Sequence, residues 1–254
     1  WYDTKTLAPL LPQYISTVDS GNLAGHLVAV KQANIELPEI PLFDDRVIAG
    51  LADTIDAISI EAERLGSVRQ RTEVVTVRQL QDEISACRTL LAQNTQDNLS
   101  SWFVLFDSLK RRASEIDDIV NALSHEHGEI NFKELLWWVG AFQNQCTCWR
   151  RDADTLCGWG RLLPLIDAGP GPEVPDRIWA QIINPLRDVP KLDQIPRLCD
   201  SALVQLAVLQ QSPTPGATAE TIRRLTRELE QSSSAASDLP ASRATSVPKK
   251  SLIS

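Results

Sequence analysis

The residues best suited to chemistry lie at the start of the chain. Trp1 and Tyr2 stand beside Asp3. Asp19 and Asn22 sit where the polar run Ser16-Thr17-Val18-Asp19-Ser20-Gly21-Asn22 gives way to apolar Leu23 to Val30. Carboxylates and amides exchange hydrogen bonds with hydroxyls, and aromatic rings take up the C–H faces of sugar rings. This grouping makes Asp19, Asn22, Asp3, Trp1 and Tyr2 candidate substrate-binding residues for a carbohydrate. Asp19 leads because it lies at the junction of loop and helix, with His26 further along as its candidate packing or hydrogen-bond partner. The same letters also spell an ordinary helix entry, in which Asp19 or Ser20 caps the helix and Trp1 and Tyr2 fill a core.

Other groupings carry less. Trp137-Trp138 and Trp149 have the residue type of a sugar-stacking platform, but at helical spacing they read as core. Lys110-Arg111-Arg112 and Arg150-Arg151 read as solvated faces or helix ion pairs. Glu126 and Glu129 flank His127 without a nucleophile. Gly169-Pro170-Gly171 lacks the lysine and following helix of a phosphate loop. Cys146 and Cys148 point about 200° apart on a helix, as do His125 and His127, so neither pair shares a metal on an intact helix. No metal and no cofactor are expected. Five cysteines form no disulfide framework and read as buried reduced thiols, suited to a reducing compartment.

The elements that must position these groups are helical. Val47, Leu51, Ile55, Ile58, Ala62 and Leu65 predict a helix ending near Gly66. Val77, Leu80, Ile84, Cys87 and Leu91 predict a second, and Trp102 to Leu123 a third, begun after Asp97-Asn98. Leu135 to Leu156 predict a fourth, stopped by Gly158. Shorter helices are expected over Asp176–Leu186, Asp193–Gln211 and Ala217–Ser234. The fold expected is all-α, a helical bundle. At most the first fifteen residues make a short strand or hairpin. The division expected is 1–43 for the N-terminal motif and first helix, 44–163 for long helices, 164–175 for a Pro/Gly linker, 176–231 for short helices, and 232–254 for a disordered tail.

With 254 residues and a formal net charge of -8, the chain favours neither nucleic acid nor an anionic membrane as partner. No run approaches the ~20 apolar residues of a membrane span. The opening on Trp1 and the count of Met 0 lead to the expectation of a piece of a longer polypeptide.

The runs WYDTKTL and ISTVDSGNLAGHL resemble a segment of the bacterial cyclic β-1,2-glucan synthases. A second likeness spans Leu135 to Leu163, where Gly158-Trp159-Gly160 replaces the Pro-Trp expected of that family. The resemblance implies a large inner-membrane parent, with this region soluble on its cytoplasmic side. It implies an (α/α) toroid of glucoamylase type, to which Trp1–Val30 would give an entry loop and the start of a helix. It also implies participation in glucan cyclisation by transglycosylation, with the β-1,2-glucan chain and the remaining synthase domains as partners. Retaining transfer needs two carboxyl groups flanking the glycosidic bond. The resemblance places the main motifs beyond this chain, so no catalytic residue is assigned within it. A non-catalytic helical scaffold and a regulatory or interaction domain are the other readings.

Overall fold

A computed structural model describes residues 2–12, 16–66, 74–93, 98–127, 129–167, 169, 174–210 and 216–239. Helix α1 spans Thr17–Glu36, α2 Asp45–Gly66, α3 Val74–Gln93, α4 Leu99–His127 and α5 Lys133–Cys157. The short α6, Leu163–Ile166, precedes α7 Asp176–Arg187, α8 Ile195–Gln210 and α9 Gly216–Asp238. Among the described residues the only β pairings are two isolated bridges, Tyr2 with Pro9 and Pro41 with Lys191. The all-α expectation holds, and its bundle form is what the packing displays.

Apolar side chains at three- and four-residue steps give each long helix one face to bury. Leu51, Ile55 and Ile58 of α2 meet Leu80, Ile84 and Cys87 of α3, Phe106, Leu109 and Ile116 of α4, and Val139, Phe142 and Cys146 of α5 in one core. Helix α2 packs on α3, α3 on α4, α4 on α5, and α5 back on α2. Their starts follow local chemistry. The Asp44 carboxylate accepts the Arg46 N–H (2.9 Å), and Asn98 Oδ1 accepts the Ser101 N–H (3.0 Å), so orphan donors of the first turns of α2 and α4 are satisfied.

The remaining helices extend the same core. Helix α9 lies on α5 and α8, and α7 packs on α8. Gly158-Trp159-Gly160 forms a tight turn between α5 and α6 rather than a frayed helix end. Trp159 is fully buried, and its indole N–H donates to the Leu186 carbonyl at 2.9 Å. A Cβ on Gly160 would stand 2.4 Å from the Phe103 ring and 2.9 Å from Leu99 Cγ. Glycine at 160 therefore lets the turn press against α4.

Two expected boundaries shift. Helix α9 runs past Ser232 to Asp238, with Ser232 and Ala236 buried. The tail expected from Ser232 thus gives up its first residues to the bundle, and residues 240–254 lie outside the described set. The expected linker from Pro164 begins inside α6, and Ile166 is buried. The Trp179 indole donates to the Ile166 carbonyl at 3.4 Å, and Arg187 pairs with Asp167 at 2.6 Å. Residues 168 and 170–173, the rest of the expected Gly/Pro centre apart from Gly169, are not among those described.

Helix α1 is the exception to all of this. None of its residues is buried. Val18, Leu23, Leu27, Val28, Val30 and Ile35 all face outward. These side chains are spread around the axis, so no single stripe faces a core. Polar Asp19, Asn22, His26, Lys31, Gln32 and Glu36 are interspersed among them, so the helix mixes exposed apolar and polar residues around its whole circumference.

Candidate functional site

The N-terminal residues build two small, separate devices. In the first, Asp3 closes a turn. Its Oδ1 accepts the Thr6 N–H (2.7 Å), the Lys5 N–H (2.9 Å) and the Thr6 hydroxyl (3.0 Å). The backbone bond from Thr6, then that from Lys5, holds the Asp3 carboxyl below its ordinary value. The Asp3 N–H donates to the Ala8 carbonyl, and the Leu7 N–H returns to the Asp3 carbonyl, both at 2.9 Å. Leu7 adopts a positive φ of 56°, the left-handed conformation that such a reversal needs. The expected short hairpin is this turn. Tyr2 pairs with Pro9 across it and stays 66% exposed, so Tyr2 is not a core residue. Trp1 lies outside the described residues.

The second device is the start of α1. Ser16, not Asp19 or Ser20, is the N-cap: its Oγ accepts the Asp19 N–H at 3.1 Å, and the Ser20 N–H reaches the Ser16 carbonyl at 3.0 Å. Asp19 is the third helical residue. Its carboxylate is exposed at the positive end of the helix dipole. Asn22 and His26 are also exposed, and among the described residues no hydrogen bond joins Asp19, Asn22 or His26 through their side chains. Of the five candidate residues, Asp3 is committed to its own turn. Asp19, Asn22 and Tyr2 are open to solvent, and among the described residues no hydrogen bond joins the turn to the helix.

The groupings in the body resolve differently. Trp138 and Trp149 pack against the core as expected. Trp137 does not: it is 61% exposed, edge-on to Trp138 with ring centroids 4.5 Å apart. Arg150 is a nearly buried hub rather than a solvated charge. It pairs with Asp107 (2.5 Å) and with Asp154, and its guanidinium carbon lies 4.9 Å from the Phe103 ring centroid. Arg161 joins Asp154 (3.3 Å) to Glu228 (3.5 Å), so charge ties α5 to α4, to the Gly-Trp-Gly turn and to α9. Arg111 and Arg112 form ion pairs with Glu115 and Glu83. Burial pushes the Cys87, Cys146 and Cys199 thiols up to about 12, and Cys157 well above its ordinary value, so these are protonated and unreactive at neutral pH. The side chains of Glu126, His127 and Glu129 lie outside the described set. Among the described residues no group of three His, Cys, Asp or Glu side chains is placed to hold a metal ion.

Sequence reasoning missed a clasp. The segment after α1, residues 37–42, crosses the segment before α8, residues 189–194. The Leu42 N–H donates to the Pro190 carbonyl (3.1 Å) and the Asp193 N–H to the Pro38 carbonyl (3.3 Å). Two recesses border it. One is an apolar groove of about 450 Å³ in which Leu42, Phe43, Trp149 and Leu192 take part, with Asp44, Arg46 and Asp152 among its polar members. The other, about 540 Å³, is mixed in character, with Asp188, Asp193, Gln194 and Arg197 beside proline and aliphatic side chains. Only the Pro-rich spelling of both segments hinted at a crossing, because the partners are distant in sequence.

The chain is 33% identical over 150 residues to the cyclic beta-(1,2)-glucan synthase NdvB of Rhizobium meliloti (strain 1021). The match takes in 58% of this chain and 5% of that protein, so the chain spans only a small part of the curated relative's length. The resemblance drawn from the N-terminal motifs agrees with this similarity. No family model matches the chain. No solved structure matches it either. Among the described residues no helix is long and apolar enough to cross a membrane.

Proposed function

We propose that this chain is a fragment of a cyclic β-1,2-glucan synthase, from the region that takes part in closing the ring by transglycosylation. The observation that carries the reading is the 33% identity over 150 residues to a protein named for that synthesis. The family resemblance puts the main glycoamylase-like motifs beyond this chain, so in this reading the two carboxyl groups of a retaining transfer belong to the rest of the synthase and the chain is not catalytic on its own. Its parent sits in a bacterial inner membrane, with this region on the cytoplasmic side. Its partners are the glucan chain and the other domains of the synthase.

Helix α1 supports the fragment reading physically. Large apolar side chains left in water along a whole helix forgo about 1.5–3 kcal/mol each relative to burial. The matched relative is far longer than this chain, so the polypeptide that surrounds α1 is assigned to the rest of the synthase. In that setting the bundle is a support, and α1 carries Asp19 and Asn22 toward the glucan. The scaffold reading is favoured by one observation: the strongest polar cluster, around Arg150, is spent on holding helices together.

Ring closure by the intact synthase tests this. Asp19→Asn should reduce the yield of cyclic glucan from linear β-1,2-glucan while leaving the helix content and melting temperature of the 254-residue chain unchanged. The Ser16 cap is untouched by that substitution. The chain alone should make no rings. Undiminished cyclisation by Asp19→Asn would remove the sugar-contacting role, and ring formation by the isolated chain would show that the catalytic groups lie within it.

A further inference from the structure

We draw no further inference here: the strongest candidate, the apolar groove of about 450 Å³ beside the clasp where Leu42, Phe43, Trp149 and Leu192 meet, is an unpartnered apolar face, and nothing in the structure shows what covers it.

Discussion

Helices α1 and α5 differ little in length, 20 and 25 residues, but live by different physics. Helix α5 has no side-chain cap at its start, yet it buries Leu135, Val139, Phe142, Cys146, Ala153 and Cys157. Helix α1 has its cap, an acidic residue in its first turn, and no buried side chain. Capping and propensity alone leave an isolated helix of this length marginal in water, and tertiary packing supplies most helical stability in proteins. The body of the chain is therefore held by its core, whereas α1 is held by local chemistry until something covers it.

The largest expected effect breaks the comparison on the side of α5. Phe142 is fully buried. Phe142→Ala should cost about 3–5 kcal/mol, a transfer loss plus a cavity. Leu27→Ala in α1 should leave the chemical-denaturation midpoint where it was, because Leu27 has no packing to lose. Both are read by urea unfolding followed by circular dichroism. A comparable loss from Leu27→Ala would mean that α1 is packed in solution.

A smaller effect sharpens the α1 side. Ser16→Ala removes the oxygen that accepts the Asp19 N–H, worth about 0.5–2 kcal/mol to a helix start. In a helix without tertiary support this should appear as lower local helicity, read from the chemical shifts of residues 17–24, with no change in the global midpoint. A fall in the global midpoint would couple α1 to the core.

The same contrast explains what the sequence could and could not say. Helices α2 to α5 were legible because a buried face writes a period of three to four residues, and Gly66 and Gly158 mark their ends as expected. The apolar run Leu23 to Val30 announced a helix equally well, but residue types alone do not tell a covered apolar residue from an uncovered one. The cap is Ser16 rather than Asp19 or Ser20, because several good capping residues stand close together and only the backbone chooses among them. Trp137 looked like core because its spacing matches its neighbours, yet its position on α5 turns it outward. The clasp and its two recesses depend on segments that meet only after the bundle has formed. Trp149 of the apolar groove, and Asp193 and Arg197 of the other recess, therefore carried no local signal of the walls they form.

Hydrogen exchange measured on the isolated chain and again within the intact synthase tests the central claim most directly. Exchange protection follows the free energy of local opening, which is small for an uncovered helix and approaches the global value in a core. The account predicts fast exchange over residues 17–36 in the isolated chain, beside strong protection in α2 to α5, and protection of residues 17–36 once the synthase surrounds them. Strong protection of α1 in the isolated chain, or fast exchange of α1 in both settings, would contradict it.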